Sequence, residues 1–290
     1  QAKLTMTKLL PLIFLLSSSL CNAQTSGPES GALVIVGGAM KDHSILKQFA
    51  RLAGGSDTAV IVIPTAGGAT HYDQHWIGLN QFKEAGLTNL KVLHTYDRDE
   101  ADTDEFAAPI KEAQGVWFTG GRQWRLADSY LNTKVHDALN ELLERNGVIG
   151  GSSAGATILG SYLTRGDTSG NNIMKGDHEE GLNFIHNVAI DQHLLKRNRQ
   201  FDLLEVVKTR PELLGIGLDE DTAIVVRDNR FEVIGQSYVA IYDAGSMIDS
   251  GGQFYFLGPG DRYDLVTRKA FRPQQIMQPL ERIIERAWGN

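Results

Sequence analysis

The residues Gly151-Ser152-Ser153-Ala154-Gly155 set a serine between small neighbours in a G-x-S-x-G pattern. Val148 and Ile149 form an apolar run before it, and Thr157-Ile158-Leu159 continues apolar beyond it. The stretch therefore reads as a strand, a sharp turn and a helix, with Ser153 at the corner. Flanking glycines let the backbone bend without Cβ clashes. The amide of Ala154 then points to where an oxyanion would form, helped by the positive end of the helix. The same five residues would also serve as a small-residue turn packing a helix on a sheet, so catalysis needs partners elsewhere in the chain.

A serine nucleophile needs a base within hydrogen-bond reach, and an acid that orients the base and stabilises its charged form. The histidines are His43, His71, His75, His94, His136, His178, His186 and His193. His193 alone directly ends a short apolar strand C-terminal to the serine, inside the polar cluster Asp191-Gln192-His193. For the acid, Glu220 lies in a turn between two apolar runs. Asp167, Asp177 and Glu179, in a loose Gly/Asp/Asn/Ser-rich loop over 164–180, compete with it.

The surrounding elements alternate. Ala32 to Val36 is a continuous β-branched run ending at Gly37-Gly38, the pattern of a strand buried on both faces of a parallel sheet. Ile45 to Ala53 has helical spacing. Further strands are expected at Ala59 to Ile63, Lys91 to His94 and Gly115 to Phe118. Helices are expected at His75 to Ala85, Glu105 to Ala113, Trp124 to Leu131 and Val135 to Arg145. This alternation predicts an α/β fold with a doubly wound, mostly parallel sheet. Glycine-rich turns follow the strand ends at Gly37, Gly67, Gly120 and Gly150, so they should share one crevice at the carboxyl edge. Beyond Leu163 come a short strand at Asn187 to Ile190, a helix at Phe201 to Lys208, and strands at Gly215 to Leu218 and Thr222 to Val226. Arg230 to Ile234, Val239 to Tyr242 and Phe254 to Leu257 make a β-rich closing section. No glycine pair gives G-x-G-x-x-G with a following acid at the right distance, which argues against a dinucleotide site.

The chain has 290 residues, 42% hydrophobic and 22% charged, enough for a sizeable core. A formal net charge of −7 gives no sign of a nucleic-acid binder. Met6-Thr7-Lys8, the mainly apolar run Leu9 to Leu20 and Cys21-Asn22-Ala23 read as a signal peptide, too short to span a membrane as a mature helix. Gln1 to Thr5 precede the expected initiator Met6. Cleavage after Ala23 would remove the only cysteine, leaving no disulfide, thiol nucleophile or thiolate metal ligand. It would also remove Lys3 and Lys8, taking the formal charge from −7 to −9. Secretion or a periplasmic location follows, with Gln24 to Ser30 a flexible lead-in and 31–290 a single catalytic α/β domain.

Four ordered stretches make the chain recognisable. They are Phe118-Thr119-Gly120-Gly121-Arg122-Gln123, Gly150 to Ala156, Asp191-Gln192-His193 and Gly215 to Ala223. Together, over about Ala32 to Leu257, they resemble the cyanophycinase branch of the peptidase family that also contains peptidase E, an aspartyl dipeptidase. The resemblance implies a flavodoxin-like sheet related to class I glutamine amidotransferases, with serine in place of their cysteine. It implies Ser153 as nucleophile, His193 as base and Glu220 as acid, with the amides of Gly121 and Ala154 as the oxyanion hole. It places Gln123, Asp191, Gln192, Arg197 and Arg199 in the substrate pocket, and implies no metal and no cofactor. Two positions depart from the family pattern: Arg122 stands where an acidic residue is usual, and Asp202 where a further arginine is expected.

The activity implied is hydrolysis of cyanophycin, a poly-aspartate with arginine on each β-carboxyl, to β-Asp-Arg dipeptides. The pocket chemistry agrees, since substrate carboxylates suit guanidinium partners such as Arg197 and Arg199, and a substrate guanidinium suits an acid such as Asp191. The alternatives are a peptidase E-like dipeptidase acting on short aspartyl or β-aspartyl peptides, and a secreted, non-catalytic binding protein of the same fold. An α/β-hydrolase esterase is disfavoured because His193 precedes Glu220, whereas that fold orders Ser, Asp/Glu, His. No nucleic-acid or membrane partner is expected, and the sequence allows a homodimer without specifying one.

Overall fold

The computed structural model describes residues 24–41, 43–245 and 252–273. The leader expected over Met6 to Ala23 lies outside the described residues.

The first half of the chain alternates strand and helix as its periodicity predicts. Strands β1 (Ala32–Val36), β2 (Val60–Ile63), β3 (Leu90–Val92), β4 (Gly115–Phe118) and β5 (Val148–Ser152) are interleaved with helices α1 (Ser44–Leu52), α2 (Asn80–Glu84), α3 (Arg98–Ala101), α4 (Asp104–Glu112), α5 (Gln123–Tyr130) and α6 (Lys134–Glu144). α3 starts where the Asp97 carboxylate accepts from the amides of Asp99 and Glu100, and α4 where the Thr103 hydroxyl accepts from Phe106. α6 buries Val135, Ala138, Leu139, Leu142 and Leu143, the i, i+3, i+4, i+7, i+8 stripe of a helix lying on a sheet. The helix expected over His75 to Ala85 starts later, at Asn80. The Trp76 ring folds back onto Gly78, into the space a Cβ there would fill.

The second half continues with α7 (Ala154–Thr157), β6 (Gly160–Tyr162), β7 (Ile185–Gln192), α8 (Leu203–Thr209), β8 (Leu214–Leu218), β9 (Thr222–Arg227), β10 (Arg230–Gly235), β11 (Val239–Tyr242), β12 (Tyr255–Leu257), β13 (Arg262–Asp264) and β14 (Lys269–Phe271). These strands divide between two sheets. Nine form one sheet in the order β14-β13-β10-β9-β1-β5-β4-β2-β3, parallel from β1 through β3 and antiparallel from β9 outward. Five form a second sheet, β12-β11-β8-β7-β6. The fold is thus α/β with a parallel central sheet and a β-rich C-terminal region, as the sequence indicates; the second sheet is not legible there.

β1 shows why its hydrophobicity is continuous. Leu33 and Ile35 join the core cluster on one face, while Ala32, Val34 and Val36 join the other. The lead-in Gln24 to Ser30, expected to be flexible, instead packs on the body. Thr25 is buried, Ser26 pairs with His186, and the Gly27 amide donates to the Asn229 side chain. A short polar stretch finds partners here because the Ser26 backbone pairs with His186 at the start of β7, ahead of the residues that pair with β8.

Candidate active site

β5 delivers Ser153 to the carboxyl edge of the central sheet and α7 starts immediately after it. Ser153 sits at φ 57°, ψ −115°, a conformation an L-residue holds only when its surroundings impose it. The glycines on either side are sterically required. A Cβ on Gly151 would lie 2.0 Å from the Gly155 carbonyl, and one on Gly155 would lie 2.2 Å from the Phe118 carbonyl. The sequence pattern therefore forms the elbow it suggests.

The expected base and acid lie on turns that leave the second sheet. His193 follows β7 and Glu220 lies between β8, in the second sheet, and β9, in the first. Three successive carbonyls at the end of β1 tether the three segments. Val36 accepts from the Ser153 amide at 3.0 Å, Gly37 from the His193 amide at 2.8 Å, and Gly38 from the Asp221 amide at 3.1 Å. Gly38, at φ +132°, leaves the space the imidazole occupies, since a Cβ there would be 2.3 Å from His193 Cε1. The Asp219 carboxylate fixes the other side of this turn by accepting from the amides of Leu195 and Lys196, both at 3.0 Å.

The result is a continuous hydrogen-bonded line. Ser153 Oγ lies 2.9 Å from His193 Nε2, and His193 Nδ1 lies 2.7 Å from Glu220 Oε1. Burial holds the His193 pKa below its ordinary value, opposed by the Glu220 hydrogen bond and assisted by Arg197 and Arg199. The ring is therefore neutral at neutral pH, with Nδ1–H donating to the carboxylate and Nε2 left to accept from the serine. The competing acids are engaged elsewhere. Asp167 accepts from the Ser169 amide, Asp177 from Thr168 with His178 beside it, and Glu179 accepts from Tyr162 and Arg210.

Gly120 runs beside Ser153, since a Cβ on it would lie 3.2 Å from Ser153 Cβ. The next amide, Gly121, and that of Ala154 donate to no backbone carbonyl among the described residues. Gly121 adopts φ +146°, and a Cβ there would lie 2.0 Å from the Ala66 carbonyl. Among the described residues no group of three or more His, Cys, Asp or Glu is arranged to hold a metal ion.

The five expected pocket residues separate into two kinds. Gln123 is buried, donates its Nε2 to the Thr164 carbonyl at 2.8 Å, and leaves Oε1 buried without a partner among the described residues. Gln192 Oε1 accepts from Arg199 Nη1 at 2.8 Å, and Arg197 is exposed. Asp191 does not present a free carboxylate. It is completely buried, and Arg165 takes both oxygens through Nε at 2.7 Å and Nη2 at 2.8 Å. The acid expected to meet a guanidinium from outside thus meets one from within. Asp202, where the family pattern has arginine, also binds Arg165, at 2.5 Å. Arg122 donates to the Asp167 carbonyl at 2.8 Å and pins the 164–180 loop. Sequence reasoning missed Gly38, Arg165 and the bracing role of Asp219. The glycine pair after β1 was the one available signal for the first, and nothing local marked Arg165.

Fold and site together describe an α/β protein that carries a serine on a strand-to-helix elbow, hydrogen-bonded to a histidine and through it to a glutamate on turns that leave a second sheet. The model of peptidase family S51 matches residues 33–234. The chain is 32% identical over 278 residues to the cyanophycinase of Geminocystis herdmanii, covering 89% of this chain and 98% of that one. It is 30% identical over 262 residues to the cyanophycinase of Trichormus variabilis, covering 82% and 86%. Among solved structures, a peptidase from an acI-B1 Actinobacterium superposes with a TM-score of 0.62 at 25% identity, covering 82% of this chain and 98% of that one. A putative peptidase E protein from Listeria monocytogenes shares the fold, with a TM-score of 0.53 at 16% identity, covering 72% and 100%. This chain belongs to peptidase family S51.

Proposed function

We propose that this chain is an exported serine-type exopeptidase that hydrolyses cyanophycin to β-Asp-Arg dipeptides through an acyl-enzyme. The observation that carries the reading is the unbroken Ser153–His193–Glu220 hydrogen-bond line at a strained elbow. Ser153 Oγ attacks the scissile carbonyl while His193 Nε2 takes its proton, and Glu220 stabilises the imidazolium that results. The amides of Gly121 and Ala154 donate to the oxyanion. Collapse of the tetrahedral intermediate breaks the C–N bond, the leaving amine takes the proton from His193, and Ser153 keeps the acyl group as an ester. Water, deprotonated by His193, then releases the acid and restores the serine.

Support for the substrate comes from the cyanophycinase relatives, which align along most of their length, and from pocket chemistry. The Arg197 amide donates to the His193 carbonyl at 3.0 Å and the buried Arg199 donates Nη1 to Gln192, so both guanidinium groups sit on the segment that carries His193 and suit substrate carboxylates. Gln123 Oε1 offers a buried acceptor. Asp191, enclosed by Arg165, shapes the pocket through the backbone of Gln192 instead of touching substrate. Export rests on the Met6 to Ala23 leader. Among the described residues no helix is long and apolar enough to cross a membrane.

Mass spectrometry of products after incubating the leaderless protein with cyanophycin tests the reading. β-Asp-Arg should accumulate with the native chain and not with Ser153→Ala, whose turnover should fall about 10³-fold or more. Cleavage of short aspartyl peptides with cyanophycin left intact would instead mark a peptidase E-like dipeptidase. Binding without turnover of either would mark a non-catalytic member of the fold.

A further inference from the structure

The sheet order places the two flanks of the nucleophile on different strands. β5 carries Ser153, β1 stands on one side with His193 seated at its end, and β4 then β2 stand on the other. On that second side lies a charged group with no role in the triad. Arg125, half-buried in α5, donates Nη1 to the Ala66 carbonyl at 3.0 Å, just past the end of β2. That same carbonyl accepts from the Arg122 amide at 2.8 Å and is the atom a Cβ on Gly121 would strike. The guanidinium is therefore built onto the turn that supplies the Gly121 amide. With strands about 4.8 Å apart, two spacings put it about 10 Å from the nucleophile.

The guanidinium also lies 5.2 Å from the centroid of the Trp124 ring, and three observations suit it to an anion. Arg125 forms no ion pair with a carboxylate among the described residues, whereas the buried Arg165 has two. Its neighbour Tyr72 accepts from the Ala69 amide at 3.1 Å, and no described acceptor takes the Tyr72 hydroxyl hydrogen. The backbone between them is stripped of side chains. A Cβ on Gly67 would lie 2.4 Å from the Tyr72 hydroxyl, and one on Gly68 would lie 2.2 Å from Arg125 Nη1. A fork of guanidinium donors and a phenol O–H, facing the carboxyl edge over a glycine pair, suits a carboxylate and suits a cation poorly.

We propose that Arg125 and Tyr72 form a carboxylate-binding subsite across the nucleophile from Arg197 and Arg199, taking the free α-carboxylate of an arginine attached to the substrate backbone. The inference rests on the cyanophycin reading, because attaching arginine through its amino group to each β-carboxyl leaves one free α-carboxylate on every residue. Arginines on both sides of Ser153 would then read the groups that flank the scissile bond on both sides. A single charge-assisted contact corresponds to about a ten- to hundredfold change in affinity.

The test uses the Ser153→Ala chain, which binds without turning over, titrated calorimetrically with a short cyanophycin oligomer and with the same oligomer carrying methylamides in place of its α-carboxylates. Adding Arg125→Gln should weaken binding of the carboxylate oligomer about ten- to hundredfold and shrink the preference over the amide form. Arg125→Lys should recover part of the loss, because a point charge still attracts the anion. Thermal unfolding of each variant separates a binding loss from a folding loss, and Tyr72→Phe, which removes one hydrogen-bond donor and keeps the ring, supplies a second probe. Equal carboxylate-to-amide ratios with and without both substitutions overturn the subsite while leaving the cyanophycin reading intact. No binding of either oligomer, together with no cleavage of cyanophycin by the native chain, overturns both.

Discussion

Replacing Glu220 by glutamine keeps the shape of the acid and removes its charge. Glu220 Oε1 stands 2.7 Å from His193 Nδ1 at a largely buried position, so the contact is charge-assisted and little screened. Such a bond contributes about 1.5–3 kcal/mol, and at about 1.4 kcal/mol per decade its loss lowers kcat/KM about 10- to 150-fold. If the new amide turns its N–H₂ toward Nδ1, the ring proton is forced onto Nε2, and the loss extends toward about 10⁴-fold. The pH profile carries a sign as well. Activity needs neutral His193, so the rate falls as pH drops through the folded-state pKa, which burial already holds below the ordinary value. Glu220 opposes that depression by binding the charged ring, so without its charge the pKa drops further and the acid limb moves to lower pH. Steady-state kinetics of Glu220→Gln and the native chain across pH on an activated ester read both effects. An unchanged kcat/KM, or an acid limb shifted upward, would refute the assignment of Glu220 as the partner of His193.

Three further outcomes are expected. Gly38→Ala should cost roughly 10²-fold or more in kcat/KM, because the added methyl occupies the imidazole position and a displacement of about 1 Å at a reacting group has that effect; kinetics alongside circular dichroism would show it. Arg165→Met leaves the Asp191 charge buried and unpaired, costing about 3–5 kcal/mol; at about 2–4 °C per kcal/mol the melting temperature should fall by about 6–20 °C, and adding Asp191→Asn should restore much of it. Arg197→Ala and Arg199→Ala should each lower kcat/KM on cyanophycin about ten- to hundredfold more than on a small activated ester. Equal losses on the two substrates would mean that these arginines support the fold and do not read the substrate.

The parallel half of the fold was legible because strands buried on both faces carry unbroken apolar runs, and β1 falls on the residues its β-branched run marks. The elbow was legible because its steric demands are local: only glycine fits at 151 and 155. The choice of Glu220 over Asp167, Asp177 and Glu179 came from resemblance alone, since periodicity reports a strand and is silent about which sheet it joins. That silence also hid the second sheet, on which the reach of His193 depends. Arg165 was hidden for a different reason. It sits in a polar loop whose composition resembles a mobile segment, and its partner Asp191 is distant in sequence, so nothing nearby announces a buried ion pair. The lead-in Gln24 to Ser30 misled in the same way, its small polar residues finding backbone partners on β7 and the Asn229 side chain.

The three carbonyls at the end of β1 also order events in time. β1 is among the first strands to leave the ribosome, yet its antiparallel neighbour β9 and the segments it tethers are made much later. Until then its β9-facing edge stays open and the serine has no base beside it. Contacts this far apart in sequence form late and slowly. A chain that ends before β9 therefore lacks the Ser153–His193–Glu220 line even after its parallel sheet has formed. Chain order thus sets when the site can assemble: Ser153 waits for segments made after it.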